Sequence, residues 1–318
     1  MYDIVSVGEL LVDFTELGRS ASGMRLFEQN AGGAVTNLVA AAARCGRKTA
    51  FLGKVGADMH GAFLKEAMEQ AGVDMRGLVV DNRVFTTLAF VALERSGERS
   101  FSFARKPGAD ACLCADELDT RLLTHTRILH HGSLSCTQEP SNTATREAIR
   151  TAKEAGALIS YDPNYRASLW DSEARAIAVM RSLVPTADLV KVSDEETALL
   201  TGEADPERAS KRLLEQGVTV AAVTLGADGA LVRVGNGTRH VPGFSANAVD
   251  TTGAGDAFFG GFLARFLASG RQLSDVTVND AADYARFGNA TASLCVERRG
   301  GIPAMPSLDD VEKRLGAG

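Results

Sequence analysis

The stretch DTTGAGDAF, Asp250 to Phe258, sets two glycines and an aspartate between an extended run and an apolar helical run. Glycines let successive backbone N–H groups converge on one anion, and the following helix adds its positive end. Asp256 then has two readings. It either caps the helix or accepts the proton of a hydroxyl that attacks a phosphoryl group held by the loop. No lysine adjoins the loop, so it is not the G-x-x-x-x-G-K-[ST] phosphate loop, and the dinucleotide pattern G-x-G-x-x-G is absent too. Local sequence leaves the choice open.

Other stretches carry polar groups of the same kind. In NAGGAVTN, Gly32 and Gly33 open a helical run with Asn37 in its first turns; this is a glycine turn with a cap, or a grip on hydroxyls by an amide that both donates and accepts. Asp13 lies among apolar neighbours in LLVDF and needs donors, from a polyol, an arginine or a strand end. In ISYDPNYRASLW, Asp162-Pro163 makes a turn or, with Asn164 and Arg166, faces a ligand. FARKPGAD brings Arg105, Lys106 and Asp110 together, for which a solvated charged rim is the plain reading. KVSDEETALL offers Ser193 as N-cap with Glu196 closing a capping box, or Glu196 near Mg²⁺ through water. VTLGADGALV turns through Asp228-Gly229, a hairpin whose small residues Thr224, Gly226 and Gly229 also suit a nucleotide backbone.

These loops need a scaffold, and the pattern supplies one. Short β-rich runs alternate with alanine-rich helical runs across the 318 residues, which predicts a doubly wound, mainly parallel sheet flanked by helices. In such sheets ligands collect beyond the carboxyl ends of the strands. Two segments break the alternation, at about 11–29 and 86–106. They predict antiparallel strands, the second with a turn at RSGE, inserted into a single domain spanning 1–318 as a small separate sheet or, alternatively, as edge strands of the main sheet. A net charge of −6 provides no basic field for nucleic acid or an anionic membrane. Five scattered cysteines and an N-terminus without a basic, apolar leader fit a reduced cytoplasmic protein.

Taken in order, GELLVDF, AGGAVTN, KPGADACL, EAGALISYDPNYRASLW, ADLVKVSDEE, VTLGADGA and DTTGAGDAF resemble the ribokinase/PfkB family of carbohydrate kinases, nearest its fructokinases. The resemblance implies a ribokinase-like α/β fold with a small β-sheet lid over the sugar. By residue it implies sugar contacts from Asp13, Gly32, Gly33, Asn37, Arg105 and Arg166, an anion hole of Gly253, Ala254 and Gly255, and Asp256 as base. It places Lys191, Ser193, Glu196, Thr224, Gly226, Gly229 and Asn289 along ATP, with Glu196 organising Mg²⁺ through water. It also places an activating K⁺ near Asp250, Thr252, Cys295 and Gly300, although Ala304 stands where a hydroxyl is frequent. Ser193 replaces a usual asparagine, and Lys106-Pro-Gly-Ala-Asp replaces the commoner Asn-Pro-Ser-Ala-Asp.

The expected reaction is phosphorylation of the 6-hydroxyl of D-fructose by ATP, with a possible homodimer through the lid sheet. The rivals are a 2-keto-3-deoxygluconate kinase, an aminoimidazole riboside or other nucleoside kinase, and a non-catalytic sugar-binding regulator. Arg105 and Lys106 favour a carboxylated substrate, whereas Phe101 and Phe103 in place of tyrosine speak against it.

Overall fold

The computed structural model describes residues 1–93 and 99–317. Among the described residues nine strands form the main sheet: β1 (Tyr2–Val7), β4 (Thr49–Gly56), β5 (Asp74–Asp81), β8 (Thr126–His131), β9 (Leu158–Tyr161), β10 (Leu189–Ser193), β11 (Val220–Thr224), β12 (Ala230–Val234) and β13 (Gly237–Val241). Their spatial order is β13-β12-β11-β10-β9-β8-β1-β4-β5. Every pairing from β11 across to β5 is parallel, and β12 and β13 are added antiparallel at one edge. The order runs outward in both directions from β1, and that reversal opens a crevice between the loops that follow β1 and β8.

Alternation along the strands feeds a core on each face. In β1, Ile4 packs into one cluster while Val5 and Val7 pack into the other. In β4, Phe51 joins the first face and Ala50 and Leu52 the second. Strands buried on both sides lose the polar alternation of a half-exposed sheet, which is why they read as continuous apolar runs. Among the described residues, no helix is long and apolar enough to cross a membrane.

The second sheet holds β2 (Leu11–Arg19), β3 (Arg25–Gly32), β6 (Leu88–Leu93) and β7 (Arg99–Ala104) in the order β3-β2-β6-β7. The hairpins β2–β3 and β6–β7 are antiparallel as expected, but the join between them, Val12 beside Leu88, is parallel. Strand pattern fixes which residues share a face; it does not fix the direction in which two distant hairpins meet. The RSGE turn lies outside the described residues.

Two helices bring the site loops together. The helix Ala34–Arg44 follows the Gly32-Gly33 turn, and the helix Ala254–Ser269 follows the opening glycine loop. They touch at Gly260, where an added Cβ would fall 2.6 Å from the Leu38 carbonyl oxygen and 2.8 Å from the Ala41 Cβ. Only hydrogen fits there. Gly260→Val should therefore cost about 1–3 kcal/mol by overpacking and lower the unfolding midpoint by several degrees. It should also lower turnover, because Asn37 and Asp256 lie within about one helical turn of that contact; calorimetry and a steady-state assay on the same variant check both.

Candidate active site

The two glycines of the loop have different reasons for being there. Gly253 adopts φ 77°, a left-handed conformation costly for a side chain, and is the N-cap of its helix. Gly255 faces the lysine of β10, since an added Cβ would lie 2.8 Å from Lys191 Nζ. Asp256 is the third residue of the helix and makes no capping bond, so the capping reading is corrected. Its Oδ2 instead accepts a hydrogen bond of 2.8 Å from Asn37 Nδ2, across from the other helix. Burial raises the Asp256 pKa, against the fields of Lys191, the Asn37 bond and Arg166. A carboxylate shifted this way is a better proton acceptor than an ordinary aspartate.

The strand ends supply the rest of a cleft of about 530 Å³. Lys191 donates to Asp162 Oδ2 at 3.0 Å, and both are buried. Burial alone would discharge the lysine, but Asp162, Glu196 and Asp256 together hold it charged, with its pKa raised. Burial pushes Asp162 up to about 6, against the pull of Lys191. Glu196 Oε2 accepts the Ser193 N–H at 2.9 Å, closing the capping box foreseen in the sequence, while Oε1 accepts the Tyr165 N–H at 2.7 Å. One carboxylate thus ties the 162–166 loop to the helix Asp194–Thr201. In that loop Asn164 takes φ 46°, and both Asn164 and Arg166 line the cleft. Thr224, Gly226 and Ser193 line it from the ends of β11 and β10.

The opposite wall comes from the small sheet and the first helix. Asp13 faces Asn30 across the β2–β3 ladder, and a Cβ at Gly32 would run into its carboxylate. Burial pushes Asp13 up to about 7, with Asp250 and Asp256 adding to the rise and Arg166 opposing it. Gly33 at φ 123° brings its backbone within reach of the Glu9 carbonyl. Phe103 and Val91 complete the wall from β7 and β6.

Several expected residues are elsewhere. Arg105 does not line the cleft; it is buried, with its guanidinium donating to Asp110, to Thr137 Oγ1 and to the Leu134 carbonyl. The solvated-rim reading of Arg105 and Asp110 is corrected as well, because a buried pair needs each other's charge. Asn289 is buried outside the cleft, and its amide donates to the carbonyls of Val241 and Pro242 at 3.0 Å each, fastening the end of β13. Gly32 and Gly229 lie behind the lining. An added Cβ at Gly229 would strike the Val241 carbonyl, so hairpin packing accounts for it. Asp250 accepts the N–H groups of Thr252 and Gly300, and Cys295 Sγ approaches the Thr252 carbonyl at 3.8 Å, so these four residues are one connected corner.

Glu9 and Asn30 are among the polar cleft residues that escaped the sequence reading. Glu9 Oε1 accepts the Ala34 N–H at 2.7 Å at the start of the first site helix, and among the described residues Oε2 has no protein partner and Asn30 Nδ2 has none either. The only signal was Glu9 in GELLVDF, two residues past the end of a strand.

Residues 1–308 match the pfkB family of carbohydrate kinases. The chain belongs to that family. It is 39% identical to Probable fructokinase-5 of Arabidopsis thaliana over 98% of this chain and 97% of that one, and 39% identical to Fructokinase-1 of Zea mays over 97% and 96%. Among solved structures, the ATP-bound fructokinase of Xylella fastidiosa superposes with a TM-score of 0.89 at 31% identity, covering 100% of this chain and 99% of that one. The Vibrio cholerae O395 fructokinase with fructose, ADP and calcium gives 0.88 at 31%, covering 99% of each. The architecture is accordingly the ribokinase-like α/β fold of pfkB sugar kinases.

In this carbohydrate kinase Glu9 carries a measurable burden. Burial raises its pKa to about 7, above the unfolded value of about 4.3, so folding favours the protonated form. That contribution is fully present below the unfolded value and is lost as pH rises through about 7. Glu9→Gln keeps the acceptor for Ala34 and removes the titration. The variant should therefore gain about 1–3 kcal/mol relative to wild type on going from pH 5 to pH 8, read by urea unfolding at both; an unchanged difference would refute the burial account.

Proposed function

We propose that the chain transfers the γ-phosphoryl group of ATP to the 6-hydroxyl of D-fructose, giving fructose 6-phosphate and ADP. The observation that carries this reading is the Asn37–Asp256 hydrogen bond beside the glycine loop, which holds a basic carboxylate where a polyol and an anion would meet. The fructokinase names of the relatives, and the ATP-bound and the fructose- and ADP-bound structures among the neighbours, support fructose and ATP as substrates. The unpaired Glu9 Oε2 and Asn30 Nδ2 suit a hydroxyl-rich ligand, which both donates and accepts.

On this reading Asp13, Gly33, Asn37 and Arg166 orient the sugar, with Gly32 leaving room for the Asp13 carboxylate and Arg105 acting only through the wall. Asp256 takes the O6 proton while the N–H groups of the 253–255 loop offset charge on the phosphoryl oxygens. Thr224 and Gly226 flank the nucleotide, and Gly229 and Asn289 shape that side from behind. Asp194, Glu195 and Glu196 line this end, yet among the described residues no three metal-ligating side chains cluster. That donor set fits Mg²⁺ carried on the phosphates and reached through water, where the ion would neutralise phosphate charge. The Asp250, Thr252, Cys295 and Gly300 corner fits K⁺ held by backbone carbonyls, since the Asp250 carboxylate already braces both loops. We read the chain as one domain, with the small sheet closing over the sugar as a lid to exclude water. Exposed Leu17, Met24 and Leu26 on that sheet and its turn support a homodimer there.

ADP release against fructose, ribose, 2-keto-3-deoxygluconate, aminoimidazole riboside and adenosine, with and without K⁺, tests the substrate. Fructose should lead by at least about tenfold in kcat/KM, a margin of about 1.4 kcal/mol. A lead for another sugar sinks fructose and spares the kinase. Tight sugar binding with no ADP from any of them would indicate a regulator. Asp256→Asn should lower kcat by roughly 10² to 10⁴ with little change in ATP binding, and near wild-type turnover would remove Asp256 from the role of base.

A further inference from the structure

The small sheet reaches the cleft from all its strands: Asp13 and Thr15 of β2, Asn30 of β3, Val91 of β6 and Phe103 of β7 line it. Its position therefore rests on the places where the chain enters and leaves it. Among the described residues there are four: before β2 at Glu9, after β3 at Gly33, before β6 at Thr87 and after β7 at Arg105. Each hairpin has its two legs joined by a buried carboxylate. Glu9, on the leg into β2, accepts the N–H of Ala34, just past the leg out of β3. Asp110 joins the other pair through side chains: its Oδ1 accepts the Thr87 hydroxyl, and its Oδ2 lies 2.8 Å from both Nε and Nη2 of Arg105.

These joints meet in one node. The Val12 N–H donates to the Thr87 carbonyl at 3.1 Å, which ties the two hairpins at their roots. Arg105 continues to Thr137 Oγ1 at 2.8 Å and to the Leu134 carbonyl at 3.1 Å, so the node is anchored in the segment that follows β8. Thr86 is fastened beside it, giving its N–H and its hydroxyl to Asp58 at 2.8 and 2.9 Å. Packing leaves no slack here, because an added Cβ at Gly108 would lie 1.8 Å from Thr87 Oγ1 and 2.9 Å from Asp110 Oδ1. The serine commoner at that position would not fit beside Thr87. Stability alone does not call for an ion pair, since apolar residues of the same volume often serve a buried site as well or better. What the pair adds is direction, because hydrogen bonds hold only over a narrow range of length and angle.

We propose that Asp110 is a positioning residue for phosphoryl transfer: by holding Thr87 and Arg105 together it fixes β6 and β7 over the sugar, so that the phosphoryl group passes to the sugar hydroxyl and not to water. The proposal rests on the kinase reading above. In both reactions the bond from the γ-phosphorus to the β–γ bridging oxygen breaks, and its electron pair leaves with ADP. In transfer, the sugar oxygen bonds to phosphorus and the hydroxyl proton passes to Asp256. In hydrolysis, a water oxygen bonds instead, a water proton is given up in its place, and inorganic phosphate results. Asp110 does not line the cleft; it acts through Val91 and Phe103, the wall residues carried by the two strands it holds.

The test separates positioning from mere stability. Thr87→Val keeps the shape of the side chain and removes its donor to Asp110, whereas Thr87→Ser keeps the donor. ADP and fructose 6-phosphate are measured in parallel, with the KM for each substrate. Thr87→Val should raise the KM for fructose by about fivefold or more, leave the KM for ATP within about twofold, and yield fructose 6-phosphate for less than about half of the ADP released. Thr87→Ser should restore the KM for fructose and the product per ADP towards wild type. Asp110→Asn, which removes the charge facing Arg105, should move them the same way as Thr87→Val and further. If the node serves stability alone, Thr87→Val lowers the unfolding midpoint while the product per ADP and the KM for fructose stay as in wild type, and the proposal is overturned. A rise in both KM values alike overturns it as well. Should Asp110→Asn not fold, the two Thr87 variants decide. Wild type keeps the two claims apart: no ADP with any sugar counts against the kinase reading, whereas an active wild type with an equally well coupled Thr87→Val counts against Asp110 alone.

Discussion

Two helices can place Asn37 against Asp256 only because nothing but hydrogen separates them at Gly260. The residues involved begin at opposite ends of the chain, and each is fixed to its own helix near the N-terminus. A methyl group at the crossing would push the axes apart, and a hydrogen bond of 2.8 Å does not survive a displacement of that size. The rest of the site depends on this approach. The two helix N-termini face one space, the glycine loop lies at its floor, and the carboxylate there is both buried and held. Such contacts are worth little as pairwise energies. They matter because they fix a geometry that chemistry needs within a fraction of an ångström.

Much of this architecture is legible in the sequence because burial and backbone conformation leave local marks. Apolar runs announce strands covered on both faces, and glycines announce left-handed turns such as Gly253. What stayed hidden is long-range. The capping reading of Asp256 failed because a cap depends on where the helix starts, and the left-handed Gly253 starts it earlier. Arg105 read as a surface charge because its partners, Thr137 and the Leu134 carbonyl, lie some thirty residues away. Asn289 serves the strand edge at Val241 and Pro242, which no pattern around position 289 can announce. The parallel join of β2 to β6 was hidden for the same reason.

The buried polar groups around the site fall into two kinds. Arg105 and Asn289 are saturated by protein partners and hold walls in place. Glu9, Asn30, Asp162 and Lys191 keep atoms or donors in reserve, and each belongs to the cleft or lies directly behind it. Unsatisfied groups of that kind cost stability in the empty protein. A fold tolerates them where a ligand later supplies what is missing, and Glu9 and Asn30, which line the cleft, suit that account.

Glu196 divides its two oxygens between Tyr165 on one loop and Ser193 on another. A ligand that shifts the first loop acts on the same carboxylate that anchors the second, so the two halves of the cleft share one mechanical joint. Thermodynamics then imposes symmetry: whatever factor one ligand's occupancy contributes to the other's affinity must be returned in equal measure. The order in which the two ligands arrive cannot change that factor, only which of them is seen to benefit.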